Sequence, residues 1–360
     1  MSPNTITNDS FFQKNLLEWY HISKNRDMPW KGVKDPYKIW LSEIILQQTR
    51  VEQGTSYYLN FIKKYPDVTA LSKADEKEVF KLWEGLGYYN RCRNLLFTAR
   101  FISNELKGKF PKTYSTILSL KGVGPYTAAA IASFAYGLPH AVVDGNVTRI
   151  LSRFFGIKVP IDTTKGKLLF TELADSLLDK KNPARYNQAI MDFGATVCKP
   201  KAPACESCPF SGLCLAFNTN KVSALPIKSK SIQKKERWFY FTLASYKEEL
   251  LVKRRTEKDI WRGLYAFHLT EASAEAQPEK MALQVIKEVF HHSKTTLIKI
   301  SKSFTQQLTH QTIHACFIHL RLTKKIVLED GYEWIAQDKI KDLGFPRVIA
   351  NYLKSGYPID

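Results

Sequence analysis

The sequence predicts a mainly α-helical protein, with a helical domain followed by a smaller α+β domain. A chain of 360 residues is long enough to bury two separate cores. Up to about residue 215, apolar residues recur at helical spacing, whereas β-branched and aromatic residues partly alternate beyond a basic stretch. We therefore expect a helical domain over 1–220, a basic linker over 221–237 and an α+β domain over 238–360.

The helical domain is predicted as a succession of amphipathic helices. Ser10 can cap the first, FFQKNLLEWYHI, and a proline begins the second, PYKIWLSEIILQQT. The turn LGYY separates DEKEVFKLWEGLG from NRCRNLLFTARFISNEL, and a glycine-bounded turn leads into the alanine-rich helix of LKGVGPYTAAAIASFA. Two further helices, DTTKGKLLFTELADSLL and ARYNQAIMDFGATV, complete the domain, with no convincing alternating strand before residue 220.

The remaining chain has a different composition. The linker KVSALPIKSKSIQKKER carries six basic residues and one acidic residue, with almost no apolar periodicity. The stretches RWFYFTLAS, ELLVKRR, TLIKISKSF and HQTIHACFIHLRL are enriched in β-branched and aromatic residues, which predicts strands. MALQVIKEVF and FPRVIANYLK predict helices between and after these strands.

The charge balance indicates a polyanionic partner. The formal net charge is +19 and the sequence pI is about 9.5, which suits nucleic acid or an anionic membrane surface; a solvated basic surface is the alternative. The sequence contains no run of eighteen or more apolar residues, so no membrane-spanning helix is predicted. The N-terminus has no pattern of a secretory signal, so we expect a cytoplasmic location and favour nucleic acid over membrane.

Four of the six cysteines are concentrated in CKPKAPACESCPFSGLC, with the spacing Cys198-x6-Cys205-x2-Cys208-x5-Cys214. In a reducing compartment, clustered thiols bind metal more often than they form disulfides. An all-cysteine set suits either zinc or an iron–sulfur cluster. Zinc sites usually have two CxxC pairs, and this stretch has one.

Three other short patterns can carry chemistry. In LKGVGP, Gly122 and Gly124 let the backbone approach a phosphate at a helix N-terminus, or they simply form a tight turn. Asp144 in AVVDGNV follows an apolar run, where an N-cap is the ordinary role. Glu43 lies among apolar residues in WLSEIILQQT. A solvated glutamate is common there, but a buried one would have a raised pKa and could donate a proton.

Taken with these motifs, the cysteine spacing resembles the cluster loop of the endonuclease III superfamily of DNA repair glycosylases. LKGVGPYTAAAIASFA resembles the helix-hairpin-helix signature of that superfamily. LSEIILQQT, MPW at 28–30 and GLGYYNRCRNL at 85–95 resemble the adenine-specific, MutY-type branch. WRGLYAFH and its surroundings resemble the Nudix-like domain attached to those enzymes. The resemblance implies a [4Fe–4S] cluster held by Cys198, Cys205, Cys208 and Cys214.

The resemblance also implies a reaction. A monomeric, nucleoid-associated enzyme would remove adenine paired with 8-oxoguanine or guanine in duplex DNA and leave an abasic site. Glu43 would protonate the purine, Asp144 would stabilise the positive sugar, and Tyr126 and Asn146 would position these groups. Relatives that also cut the backbone have a lysine where this chain has Tyr126, so we expect hydrolysis without lyase chemistry.

The resemblance assigns the binding residues in three groups. One lines the adenine pocket, one enters the opposite strand at the lesion, and one lies in a loop that senses 8-oxoguanine. Lys31 stands where an arginine is common in relatives, Gln188 where some relatives have a glutamate, and Thr148 where others have a lysine. The implied substrate- and DNA-binding residues are Arg26, Trp30, Lys31, Leu46, Gln48, Thr49, Leu86, Tyr88, Arg91, Gly122, Gly124, Gln188, Thr309 and His310.

Two alternatives remain open from the sequence. The first is an endonuclease III-like glycosylase with lyase activity on oxidised pyrimidines, against which Tyr126 and LSEIILQQT argue. The second is a non-catalytic nucleic-acid-binding protein with a redox-sensing cluster. The second alternative predicts that Glu43→Gln and Asp144→Asn change neither binding nor product.

Overall fold

The computed structural model describes residues 3–23, 26–229, 233–291, 293–328 and 331–355. The chain divides into two compact units. The first combines Met1–Lys73 with Asn94–Ser231, and the second combines Ala74–Arg93 with Ile232–Asp360. The segment 74–93, which the sequence analysis assigned to the helical domain, therefore clusters with the C-terminal residues.

Helices form the first unit, and their starts and ends follow local sequence signals. Asp35 caps α2 by accepting a hydrogen bond from Tyr37 N at 2.9 Å, and Pro36 occupies the first turn. The bounds are α1 Pro3–Ile22, α2 Pro36–Leu46, α3 Val51–Lys64, α4 Val68–Ser72, α5 Glu76–Leu82, α6 Asn90–Glu105, α7 Tyr114–Leu118, α8 Pro125–Tyr136, α9 Gly145–Phe154, α10 Thr164–Leu177, α11 Pro183–Thr196 and α12 Leu215–Asn218. Of these, α5 and the first turn of α6 lie in the segment 74–93.

Three predicted helix boundaries are wrong. Helix α5 ends at Leu82, so the last five residues of the predicted segment DEKEVFKLWEGLG follow the helix. Helix α1 begins at Pro3, so Ser10 lies inside the helix rather than capping it. Helix α2 ends at Leu46 rather than at Thr49, because the backbone leaves the helical region at Gln47, with ψ of 114°, and Gln48 then adopts a left-handed conformation with φ of 55°. Gln48 and Thr49 therefore lie in the turn that follows α2.

An aromatic core fixes the relative positions of α1, α9 and α11. The ring of Phe12 stacks on that of Phe210 at 4.7 Å, and Phe154 and Phe193 contact Phe210 edge-on. All four rings are buried, and each contributes roughly 1.5–3 kcal/mol through burial. Because Asp144 caps α9, this core also fixes the position of that carboxylate.

The second unit is built on one mixed sheet. Strands β1 and β7 run parallel at its centre and are apolar over most of their length, since both faces of the sheet are covered. Helix α13 covers one face, and Tyr352 of α15 stacks on Phe317 on the other at 3.8 Å. The bounds are β1 Lys235–Tyr246, β2 Glu249–Arg254, β3 Tyr265–Ala266, β4 His268–Ala272, α13 Pro278–Glu288, β5 Thr295–Ile300, β6 Phe304–Gln307, β7 Gln311–Leu322, β8 Tyr332–Ala336, α14 Gln337–Ile340 and α15 Arg347–Lys354.

The segment 74–93 is tied to the C-terminal residues by polar contacts. Glu84 Oε1 accepts a hydrogen bond from Phe345 N at 2.8 Å, and Lys81 Nζ donates to Leu343 O at 2.9 Å. Glu76 pairs with Arg254 at 2.9 Å. These contacts join residues far apart in sequence, which explains why composition did not reveal them.

The predicted linker has structure at both of its ends. Leu225 is buried, and its carbonyl accepts a hydrogen bond from Arg153 Nε at 3.1 Å. Ile161 N donates to Ile227 O at 3.0 Å, so this part of the linker packs against the first unit. The last residues, Lys235–Arg237, already belong to β1. Among the helices of the described ranges, none combines the length and apolar content needed to cross a membrane.

Candidate active site

A cavity of about 890 Å³ opens in the first unit between α2, α8, α9 and α11. Glu43 from α2, Tyr126 from α8, and Asp144 and Asn146 at the start of α9 all line it. These four residues are separated by up to about a hundred positions in the sequence. The fold thus brings the residues that the sequence analysis named as catalytic to one wall.

Glu43 is the buried acid of this cavity. It is 8% exposed, and burial raises the pKa of its carboxyl to about 7, with a smaller upward effect from the charge of Asp144. A hydrogen bond from Tyr126 opposes this shift. A carboxyl with a pKa near neutrality holds a proton for part of the time at pH 7 and can donate it.

Tyr126 interacts electrostatically with the carboxyl groups of both Glu43 and Asp144. Burial, followed by the charges of Glu43 and Asp144, raises the pKa of its phenol well above the ordinary value, so the hydroxyl stays neutral. A neutral phenol can donate one hydrogen bond at a time. Besides the bond to Glu43, its oxygen lies 3.7 Å from Met191 Sδ.

Asp144 is the N-cap of α9 and is held in one orientation. Its Oδ1 accepts hydrogen bonds from Asn146 N and Val147 N, each at 2.8 Å, and its Oδ2 accepts from Asn146 Nδ2 at 2.7 Å. Burial raises the pKa of Asp144 above its ordinary value, while these bonds oppose the rise. Both the N-cap role and the cavity role that the sequence analysis weighed apply to the same carboxylate.

A chain of hydrogen bonds runs from Asp144 to the cysteine loop. Asn146 Oδ1 accepts from Arg149 Nη2 at 2.8 Å, and Arg149 Nε donates to Cys198 O at 2.8 Å. Arg149 Nη2 also donates to Gly194 O at 2.8 Å. Gly194 has no side chain, and a Cβ there would lie 2.6 Å from Asn146 Cβ. Only a glycine permits this close approach between α9 and α11.

The four clustered cysteines line a second, small cavity of about 30 Å³ together with Arg153. Arg153 Nη1 donates to Cys198 Sγ at 3.5 Å and to Lys199 O at 2.8 Å. In the part of the chain that the structure describes, no group of three or more His, Cys, Asp or Glu side chains is arranged to hold a single metal ion. Sequence and fold nevertheless bring all four thiols, unpaired by disulfides, to one place.

All four residues that the resemblance assigns to the adenine pocket, Arg26, Trp30, Leu46 and Gln188, line the large cavity. The cavity is also lined by residues to which the sequence analysis gave no role, among them Tyr20 and Asp192. Asp192 lies one helical turn after Gln188 on α11, and that spacing could have drawn attention to it. The implied binding residues on the cavity wall are Arg26, Trp30, Lys31, Leu46, Gln48, Thr49 and Gln188.

The glycine turn before α8 has the shape of a phosphate-binding hairpin. Gly122 has a φ of +83°, and a Cβ there would lie 2.7 Å from Asn94 Cβ. Gly124 is the N-cap of α8 and leaves open space where a side chain would stand. The free N–H groups of this helix start are therefore accessible to an anion.

Of the residues that the resemblance places at the lesion, Gln48 lies on the cavity wall in the first unit, whereas Leu86, Tyr88, Thr309 and His310 lie in the second unit. Tyr88, with a φ of +48°, is 44% exposed, whereas Leu86 is 7% exposed. The hydroxyl of Tyr88 contacts that of Thr309, and His310 is exposed in the turn between β6 and β7. The Arg91 guanidinium lies over the rings of Trp83 and Tyr88, and burial lowers the pKa of Arg91 to about 10.

Comparison with known proteins agrees with this organisation. Residues 41–173 match the family described as HhH-GPD superfamily base excision DNA repair protein, and residues 239–355 match the NUDIX domain. An adenine DNA glycosylase of Buchnera aphidicola is 31% identical over 350 residues, which cover 95% of this chain and 98% of the relative.

Solved structures resemble the helical part. A thermostable thymine-DNA glycosylase is 32% identical, covers 60% of this chain and 99% of its own, and superposes with a TM-score of 0.56. Endonuclease III in a non-covalent DNA complex is 19% identical, covers 61% of this chain and 98% of its own, and has a TM-score of 0.52, which shows the shared fold. With a relative matched over nearly the whole of both chains, this protein belongs to the adenine DNA glycosylase family.

Proposed function

We propose that this protein hydrolyses the N-glycosidic bond of adenine mispaired with 8-oxoguanine or guanine in duplex DNA and leaves an abasic site. The observation that carries the proposal is the pair of carboxyl groups in one cavity, Glu43 and Asp144, with different surroundings. The first is buried and has a pKa of about 7, and the second is held by three hydrogen bonds. Such a pair suits acid catalysis and charge stabilisation in glycosidic bond cleavage.

Adenine must leave the base stack to enter the cavity, because its glycosidic bond is inaccessible inside the duplex. Protonated Glu43 then donates its proton to the purine ring, which makes the base a better leaving group. As the C–N bond breaks, positive charge develops on the sugar. The Asp144 carboxylate stabilises that charge, and a water molecule adds to the sugar and releases a proton, which restores the protonated form of Glu43 directly or through solvent. Tyr126 and Asn146 keep the two carboxyl groups in place.

Lyase chemistry needs an amine that attacks the sugar, and the lysine amines on the cavity wall already make hydrogen bonds with the protein. The wall includes two lysines, and both ammonium groups are engaged. Lys31 Nζ donates to Asp192 and to Arg26 O, and Lys34 Nζ donates to Phe134 O at 3.2 Å. With Tyr126 facing Glu43, the expected product is an abasic site rather than a cut strand.

The DNA contacts follow from charge and shape. The net charge of +19 favours a polyanion, and the hairpin at Gly122 and Gly124 suits one phosphate. Exposed Tyr88, with Thr309 and His310 beside it in the same unit, is suited to meet the guanine lesion. We infer that the enzyme acts as a monomer on nucleoid DNA.

The cysteine loop is proposed to hold a [4Fe–4S] cluster through Cys198, Cys205, Cys208 and Cys214. The donors are soft thiolates, which suit iron–sulfur clusters, and all four line one cavity. Bound there, the cluster would supply a structural and redox-active centre. Arg153 donates to the first thiol, and Arg149 ties the loop backbone to Asn146, so a loaded loop would stabilise the start of α9.

A single-turnover assay tests the function. The substrates are duplexes with one adenine opposite 8-oxoguanine or guanine, and one thymine opposite guanine as a comparison. We expect strand cleavage at adenine only after hot alkali, and no covalent adduct with borohydride. Cleavage without alkali would establish lyase activity, and excision of thymine alone would overturn the adenine assignment.

Metal analysis tests the cluster. Protein purified without oxygen should be yellow-brown and contain about four iron atoms per chain. Cys205→Ala should lower the iron content, whereas Cys316→Ala, which removes a thiol outside the cluster loop, should leave it unchanged. One zinc atom per chain without iron would contradict the assignment.

A further inference from the structure

A short chain of polar groups crosses the cavity wall from Lys31 through Asp192 to Gln188. Lys31 Nζ lies 2.9 Å from Asp192 Oδ2, and Gln188 Nε2 donates to Asp192 Oδ1 at 3.2 Å. The Asp192 side chain is 4% exposed and that of Lys31 is 17% exposed. Neither Asp192 nor Gln188 takes part in the proton transfer from Glu43 or in the stabilisation of the sugar charge by Asp144. A buried ion pair is weak support for stability, so its presence in a binding cavity calls for a different explanation.

The ammonium group of Lys31 is held at the wall rather than aimed at a ligand. Besides Asp192, it donates to Arg26 O at 3.1 Å and lies 5.3 Å from the centre of the Tyr20 ring. An ammonium group has three N–H donors and no acceptor. The contacts with a carboxylate, a carbonyl and a ring face account for them, so Lys31 serves as the fixed counter-ion of Asp192.

Asp192 in turn determines which end of the Gln188 amide faces the cavity. An ionised carboxylate only accepts hydrogen bonds, so the amide must turn its NH₂ group towards Asp192. The opposite orientation would place the two acceptor oxygens about 3.2 Å apart without a proton between them. Among the described residues, Gln188 Oε1 accepts no hydrogen bond from the protein. Since Gln188 lines the cavity, its carbonyl oxygen is available to a ligand.

We propose that Asp192 is a positioning residue which, held by Lys31, orients Gln188 so that the pocket accepts a 6-aminopurine and rejects a 6-oxopurine. The inference rests on the proposed function and deepens it. Gln188 Oε1 can accept a hydrogen bond from the 6-amino group of adenine. In hypoxanthine an oxygen replaces that amino group, and it would face the carbonyl oxygen of Gln188. The pocket thereby protects bases that have a 6-oxo group, guanine among them.

Asp192→Asn should reverse this polarity. The carbonyl oxygen of the introduced asparagine side chain would remain against the Lys31 ammonium, because an ammonium cannot accept a hydrogen bond. The new NH₂ group would then face Gln188 and attract its Oε1, so the amide would turn over. Gln188 would present a donor to the cavity, which suits a 6-oxopurine. The variant thus changes one atom of the wall while keeping its volume.

The experiment measures single-turnover excision of adenine, unsubstituted purine and hypoxanthine, each opposite 8-oxoguanine. Each rate of the variant is divided by that of the wild type, which removes the intrinsic reactivity of the base. For Asp192→Asn we expect adenine to slow about tenfold, purine to change little, and hypoxanthine to gain severalfold, the size of effect that one reversed hydrogen bond produces. Equal losses for all three bases would indicate a structural role and overturn the proposal.

Two further variants complete the test. Gln188→Leu removes the amide without touching the ion pair, and it should lower the adenine-to-hypoxanthine ratio about tenfold even if Asp192→Asn does not fold. In the double variant, Asp192→Asn should no longer change that ratio, because the group it orients is gone. An unchanged ratio in Gln188→Leu overturns the inference while adenine excision stands. Absence of adenine excision by the folded wild-type protein instead rejects the proposed function itself.

Discussion

Asp144→Asn is expected to slow single-turnover release of adenine by about 100- to 1000-fold, the loss seen when one preorganised electrostatic group is removed from an active site. The carboxylate lies on the cavity wall with Glu43 and Tyr126. Asparagine has the same shape but no charge, so it cannot stabilise a positive sugar. It is also a good N-cap and can still accept the hydrogen bonds from Asn146 N and Val147 N. Loss of the fold should therefore not explain the loss of rate.

A matched control distinguishes the effect of removing a charge from the cavity from the effect of removing a charge at a helix N-terminus. Asp67 caps α4 by accepting from Ala70 N at 2.8 Å and does not line the cavity. Asp67→Asn should keep the wild-type rate and a similar melting temperature. If Asp144→Asn retains full activity with the fold intact, Asp144 does not stabilise the transition state, and the non-catalytic alternative regains support.

Glu43→Gln is expected to slow adenine release by about 100- to 10,000-fold, the range of general acid catalysis. Glutamine keeps an acceptor for Tyr126 but has no proton to give. The wild-type rate should fall as pH rises through about 7, because the pKa of Glu43 lies there and only the protonated form can act. The remaining activity of Glu43→Gln should lack this decline. Identical pH profiles for both proteins would exclude Glu43 as the acid.

The same substitution should stabilise the folded protein at high pH. The pKa of Glu43 is raised from 4.5 to about 7 on folding, so between these values the folded state binds more proton than the unfolded state. Wild-type stability from this group is therefore complete below about pH 4.5 and is lost as pH rises to 7. We expect Glu43→Gln to be more stable by up to about 3 kcal/mol at pH 8 and by almost nothing at pH 4. Urea unfolding at the two pH values measures this difference.

Local patterns in the sequence carry much of the fold. Helix α8 was predicted to follow the glycine-bounded turn of LKGVGP and begins at Pro125, because an N-cap and a first-turn proline act over a few residues. Local sequence signals predict a helix end poorly where the backbone conformation of one or two residues decides it. Helix α2 ends at Leu46 because the backbone of Gln47 and Gln48 leaves the helical region, which no periodicity of apolar residues reveals.

By itself, the sequence determined that a helical part precedes a part with strands, how the four cysteines are spaced, and that Tyr126 stands where, by the resemblance, relatives with lyase activity have a lysine. Each of these features depends on residues that are close together in the sequence. Only the tertiary structure decided that Glu43 is buried, since desolvation depends on side chains from several helices. It alone paired Lys31 with Asp192, 161 positions away, and joined the segment 74–93 to the C-terminal residues. Packing between distant segments, rather than local pattern, fixes the polarity of the cavity wall and the pKa of its acid.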